Sequence, residues 1–143
     1  MVNQEPPQIG YMLKHTQALL HSRMDEVLRP LDLSVSQYVC LHLLAGRPGI
    51  SAAELARSAF VSRQAMNTLL QALLDRGLVE RPARPESGRA LPAVLTPAGA
   101  DLLEKAETVV DSVDRQMTSG LSEQQAAALR QALAACMAAL AEG

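Results

Sequence analysis

The stretch Ser62-Arg63-Gln64-Ala65-Met66-Asn67-Thr68-Leu69-Leu70-Gln71-Ala72-Leu73-Leu74-Asp75-Arg76-Gly77 decides how the rest of the chain is read. At helical period Met66, Leu69, Leu70, Leu73 and Leu74 fall on one face, and Arg63, Gln64, Asn67, Thr68 and Gln71 on the other. Ser62 offers a hydroxyl that can accept from an unpaired backbone N–H at the helix start, and Gly77 stands where a left-handed residue ends a helix. The polar face has an unusual composition. A solvated helix face ordinarily mixes acids with bases, yet no Asp or Glu occurs between Glu54 and Asp75. An anionic partner fits such a face.

Working outward, 143 residues set a single domain, 1–143, able to bury one core. Tyr11, Tyr38 and Phe60 are its three aromatics, so Leu, Val, Met and Ala must fill that core, which suits helices packed side by side. The net charge of −2 argues against indiscriminate nucleic-acid binding but hides a marked asymmetry. Residues 57–89 carry six arginines against three acids, a net of +3, whereas residues 97–143 carry three bases against seven acids, a net of −4. An anionic partner therefore belongs on the middle of the chain. The start, Met1-Val2-Asn3-Gln4-Glu5-Pro6-Pro7, lacks the basic and apolar runs of a signal peptide, and no segment reaches membrane-spanning length. A cytoplasmic protein without membrane contact is expected.

Upstream of the key stretch, Leu13, Leu20, Met24, Val27 and Leu28 recur at helical spacing from about Gln8, and Pro30 ends that helix. Ser34 and Gln37 have the spacing of a capping box for a second helix reaching about Leu44. Gly46-Arg47-Pro48-Gly49 is a turn, after which Ile50 is placed to add one short β pairing. Ser51 and Glu54 form another predicted capping box, opening a third helix of two turns. Downstream, Leu78-Val79-Glu80-Arg81 and Ala90-Leu91-Pro92-Ala93-Val94-Leu95-Thr96 read as short strands around a basic tip, Ala83 to Arg89. Pro92 requires an unpaired side on its strand. Thr96-Pro97 starts a long helix running to Ser119-Gly120, and Ser122 with Gln125 caps a last, alanine-rich helix.

A short helix, a turn of three or four residues and a second helix presenting Arg, Gln, Asn and Thr form a helix-turn-helix, and the basic hairpin after it forms a wing. Arg forks onto guanine and Gln or Asn pairs with adenine in the major groove, so Arg63, Gln64 and Asn67, in the first turns, are the expected base readers. Thr68 and Gln71 are expected on the DNA backbone, and Arg89, helped by Arg84, on phosphates or a neighbouring minor groove. The capped helix starts at Ser51 and Ser62 supply N–H groups to phosphates as well. For a lone helix the simpler reading is that these groups face water. The acid-free face, cap, hairpin and wing arginine together favour double-stranded DNA.

Leu55-Ala56, Val61-Ser62, the run L-L-D-R-G-L-V-E-R from Leu73 to Arg81, and Arg89 followed by Leu95-Thr96-Pro97-Ala98-Gly99 resemble the MarR family of winged-helix transcription regulators. Leu33-Ser34, Gln37 and Leu41 match that family's second helix. The resemblance implies a mainly α fold: a winged helix-turn-helix lobe at 33–97 with a small β-hairpin wing, a long connecting helix at 97–119, and dimerisation helices at 8–30 and 119–143. It implies a homodimer whose first and last helices intertwine, which the apolar content of those helices independently requires, and a palindromic operator. One departure is visible: the family's wing usually has an Asp two residues before its arginine, where this chain has Ser87, with Glu86 next door.

The resemblance further implies a repressor released by a small phenolic or other aromatic compound, with Tyr11, His15 and Leu19 of the first helix and Tyr38 and His42 of the second as candidate lining. Read as packing alone, Tyr38 and Met12 belong to the core and the histidines are partly solvated. Redox control through Cys40 or Cys136 is an alternative, but both sit inside apolar helical patterns, as structural cysteines do, and neither occupies the N-terminal position of the family's hydroperoxide sensors. His15, His21 and His42 have no close Cys or carboxylate pattern, so no metal and no cofactor is expected. No phosphate loop, nucleophile motif or carboxylate pair points to an enzyme. The rival from another class is a winged-helix dimerisation module that no longer binds DNA.

Overall fold

The computed structural model describes residues 5–82 and 93–142. Its elements, in order, are α1 (Ile9–Leu28), a 3-10 turn (Arg29–Leu31), α2 (Val35–Gly46), α3 (Ala52–Ser58), α4 (Arg63–Asp75), β1 (Val79–Glu80), β2 (Val94–Leu95), α5 (Pro97–Thr118) and α6 (Glu123–Ala141). The chain divides into two compact units, Met1–Val110 and Asp111–Gly143, with the boundary inside α5. Among the described residues no helix is long and apolar enough to cross a membrane.

The first unit is built on the apolar face of α4. Met66, Leu70 and Leu73 are buried and meet Leu41, Leu44 and Leu55 in one cluster that extends to Leu103 and Ala106 of α5. Removing each such leucine side chain from water contributes roughly 1.5–3 kcal/mol, far more than the helix propensities involved, so this face fixes where α4 sits. The chain then turns at Gly77 (φ +70) into β1, which pairs antiparallel with β2 in the register Val79 to Leu95 and Glu80 to Val94. The ladder is shorter than the sequence pattern, and Pro92 and the basic tip lie outside the described residues.

Several local expectations hold in atomic detail. Ser34 and Gln37 form a reciprocal capping box, as do Ser122 and Gln125, each donating and accepting at about 3 Å. Two expectations need correction. Ser51 accepts from the Glu54 N–H at 3.1 Å, but the return bond is absent because the Glu54 carboxylate takes Arg47 Nη2 at 3.1 Å instead. A guanidinium within reach outcompetes a neutral backbone N–H for a carboxylate. Ile50 belongs to no strand among the described residues: its N–H closes a turn onto the Arg47 carbonyl at 3.1 Å while its side chain is buried.

Pro30 does stop α1, at Leu28, but the chain continues through a 3-10 turn and leaves it at Asp32, which is left-handed (φ 57). Arg76 donates from Nη1 to the Asp32 carbonyl at 2.7 Å, tying the end of α4 to this turn across 44 residues of sequence.

Thr96 is the joint between sheet and α5. Its hydroxyl donates to the Gly77 carbonyl at 2.6 Å and accepts from the Gly99 N–H at 3.1 Å, while its own N–H donates to the Leu78 carbonyl. One side chain thus caps α5 and locks it to the exit of α4. Thr96→Ala is expected to cost about 1–2 kcal/mol in chemical denaturation, and Thr96→Ser to recover most of it.

The long helices contrast with this core. Of α1 only Leu28 is buried, and Ile9, Tyr11, Met12, Leu13 and Leu19 are exposed. In the second unit α6 has no buried residue, and Leu129, Met137 and Leu140 are exposed.

Candidate nucleic-acid interface

The geometry begins with the link between α3 and α4. Val61 donates its N–H to the Ala56 carbonyl (3.0 Å) and Phe60 to the Arg57 carbonyl (3.2 Å), which closes α3 with the two bonds of a Schellman motif. That motif wants a left-handed residue before Val61, and Phe60 occupies it at φ 59. Val61 packs against the core, and Ser62 then caps α4 by accepting from the Ala65 N–H at 3.0 Å. Ser51 and Ser62 each accept one backbone N–H at a helix start, which leaves each hydroxyl hydrogen able to donate.

Arg63, Gln64, Asn67, Thr68 and Gln71 are all exposed, as the spacing predicts. The structure differentiates them. Thr68 Oγ1 donates to the Gln64 carbonyl (3.2 Å), a bond within the helix, and Gln71 Nε2 donates to Asp75 Oδ1 (2.9 Å). That bond uses one of the two amide hydrogens of Gln71, and Asp75 puts a carboxylate at the C-terminal end of the face. The exposed face of α4 therefore runs from a cation at Arg63 to an acid at Asp75. In the sequence Asp75 marks only the end of the acid-free run, although its place four residues after Gln71 is the available signal for this bond.

Arg76 is a second residue whose role the sequence did not show. Counted in the basic segment, it is committed to the Asp32 carbonyl and so serves the scaffold. Arg84, Arg89 and the Ser87 departure lie outside the described residues.

The candidate small-molecule residues divide by helix. Tyr11 and His15 lie 6.1 Å apart on α1, both exposed, with Leu19 exposed one turn further on. Tyr38 and His42 lie 5.9 Å apart on α2, with Tyr38 buried and His42 exposed. Met12, read as core on packing grounds, is exposed. His42 Nδ1 is 3.2 Å from Glu107 Oε1 of α5, a pairing across 65 residues that no local pattern announces.

The two cysteines differ. Cys40 is fully buried, with its sulfur 3.8 Å from Met66 Sδ, and burial pushes its thiol up to about 11. Cys136, expected inside the last helix's apolar packing, is exposed in the single chain, because α6 buries nothing there. Since the folded thiol of Cys40 ionises above its ordinary 9.0, the stability it contributes is complete below pH 9 and is lost as pH rises toward 11. Alkaline unfolding should show this loss, about 3 kcal/mol at its limit, and Cys40→Ala should remove that part of the pH dependence.

A helix pair with this turn, a two-stranded antiparallel sheet and a capped second helix exposing Arg63, Gln64 and Asn67 define the winged helix-turn-helix class. Within that class, a model of the MarR family matches residues 31–90. The HTH-type transcriptional repressor Rv2887 of Mycobacterium tuberculosis is 45% identical over 117 residues, covering 82% of this chain and 84% of that one. A crystal structure of Rv2887 with salicylic acid superposes with a TM-score of 0.76 at 40% identity, covering 95% of this chain and 99% of that one. One with DNA superposes with a TM-score of 0.76 at 36% identity, covering 92% and 98%. The chain belongs to the MarR family of transcription regulators.

Proposed function

We propose that the protein is a dimeric, sequence-specific DNA-binding repressor that a small phenolic ligand releases from its operator. The observation that carries this reading is the exposed face of α4: Arg63, Gln64 and Asn67 on the first turns of a capped helix, with the chain's neighbouring acid held back to Asp75. Arg63 reads guanine and Gln64 and Asn67 read adenine edges. Thr68, Gln71 and the capping hydroxyls of Ser51 and Ser62 approach the backbone, joined by Arg84 and Arg89 from the wing. That Rv2887, a relative, was crystallised with DNA supports the DNA-binding reading.

The dimer follows from the apolar surfaces of α1 and α6. A helix of 20 residues that buries only its last residue is marginal alone in water, so a second copy is the cover that the exposed Ile9, Met12, Leu13 and the apolar residues of α6 require. The resulting two-fold presents two α4 helices to successive major grooves about 34–36 Å apart, hence a palindromic operator. The segments 8–30 and 119–143 act as dimerisation helices, 33–97 as the DNA-binding lobe and 97–119 as the connector.

For the ligand, salicylic acid bound to Rv2887 supplies the chemical class. His42 Nδ1 faces Glu107 Oε1 at 3.2 Å, and in the tautomer that donates there Nε2 is the acceptor for a phenolic hydroxyl. Tyr38 backs it, and Tyr11, His15 and Leu19 supply exposed aromatic and apolar surface from α1.

A gel shift on DNA upstream of the coding region, with salt varied, tests the reading. Binding that weakens steeply with salt and is released by salicylate is the expected result. Salt-insensitive or absent binding would instead identify a dimerisation module, and a phenolic panel giving neither a thermal shift nor DNA release would remove the ligand. Arg89→Ala is expected to weaken binding to all sequences alike and to reduce the salt slope by about 1 per half-site, which separates a phosphate contact from a base contact.

A further inference from the structure

Phe60 is the most conspicuous misfit in the molecule. It is 94% exposed, the most exposed of the large apolar residues described, although it sits in the short link between two helices that pack on the core. Its backbone is left-handed (φ 59), a conformation that a bulky aromatic residue adopts only when the surrounding structure imposes it. The imposing structure is the Schellman closure of α3, which requires a left-handed residue there and is served best by glycine. The fold therefore gains nothing from phenylalanine: the backbone conformation disfavours it, and the side chain buries no surface.

The surroundings indicate what it does serve. Phe60 lies two residues before the cap of α4 and three residues from each of two exposed arginines, Arg57 and Arg63. It falls inside the acid-free stretch between Glu54 and Asp75. An exposed aromatic ring on a link flanked in sequence by two exposed arginines, at the entrance to a groove-reading helix, can meet the apolar surfaces that B-DNA offers: the deoxyribose of a flanking nucleotide or the C5-methyl of a thymine. A protein partner or second copy would be expected to bring its own apolar patch, and Val61, the nearest apolar neighbour, is turned into the core and adds nothing to such a patch. From these observations we propose that Phe60 is a DNA-contacting residue, packing its ring on a nucleotide at the rim of the major groove beside the start of α4. The proposal rests on the DNA-binding reading above.

Full-length Phe60→Gly and Phe60→Asn variants, both compatible with a left-handed backbone, test it against wild type by thermal unfolding and by fluorescence anisotropy on the operator. The expected result is an unfolding temperature equal to or above wild type together with roughly tenfold weaker operator binding, and Phe60→Tyr should restore affinity. Operator DNA with deoxyuridine in place of thymine distinguishes the two surfaces: wild-type affinity falls if the ring meets a methyl and is unchanged if it meets a sugar. Variants that bind the operator as tightly as wild type would overturn the proposal and leave the DNA-binding reading intact. A wild type that binds no upstream DNA would overturn both.

Discussion

Gly99→Ala is expected to destabilise the first unit by about 3 kcal/mol or more and to lower the unfolding temperature by roughly 10 °C. A Cβ at residue 99 would overlap the Leu78 carbonyl oxygen and come within 2.9 Å of the carbonyl carbon, and both are backbone atoms with no rotamer to relax. The same carbonyl accepts from the Thr96 N–H, so it cannot swing aside without opening the joint between sheet and α5. The effect is steric and not conformational, because Gly99 is an ordinary helical residue. Gly10, at which a Cβ meets open space, supplies the control: Gly10→Ala should leave stability unchanged or slightly raised. Equal unfolding temperatures for Gly99→Ala and wild type, measured by circular dichroism, would show that α5 can draw back from Leu78.

Arg63→Ala is expected to have the largest effect on DNA binding. Arg63 is the first residue of α4, directly after the Ser62 cap, and its side chain is exposed. Loss of a bidentate guanine contact costs roughly 1–3 kcal/mol in each half-site, and in a symmetric dimer the loss is incurred twice. The diagnostic is the pattern of loss. Competition among operators substituted one base pair at a time should show relaxed preference at one position per half-site in Arg63→Ala. A uniform loss over all sequences would assign Arg63 to phosphate instead. Circular dichroism should be unaltered, because Arg63 supports none of the packing of α4.

Much of the fold is legible in the sequence. Ser34 with Gln37, Ser122 with Gln125, Ser62 and Gly77 mark helix ends because capping depends on residues within a few positions of one another. The face of α4 was legible because burial at period 3.6 leaves its trace directly in the order of Leu and polar residues. Glu54 and Ile50 show where such reading stops. The Glu54 side chain had a local N–H available and took Arg47, and Ile50 met a turn bond before any strand.

The sequence by itself thus determined the helix order, the caps, the wing's place after α4 and the face on which polar groups gather, since all of these follow from local periodicity and short-range bonding. Only the tertiary structure decided that Arg76 serves the Asp32 turn, that Glu107 pairs with His42, that Gly99 is held against Leu78, and that Phe60 stands exposed in a left-handed turn. The first three join residues 44, 65 and 21 positions apart, which come together only through packing. Phe60 is local in sequence, but its meaning is not. The pattern around an isolated phenylalanine between two helices does not say which way it faces; the structure turns Val61 onto the core and leaves Phe60 exposed.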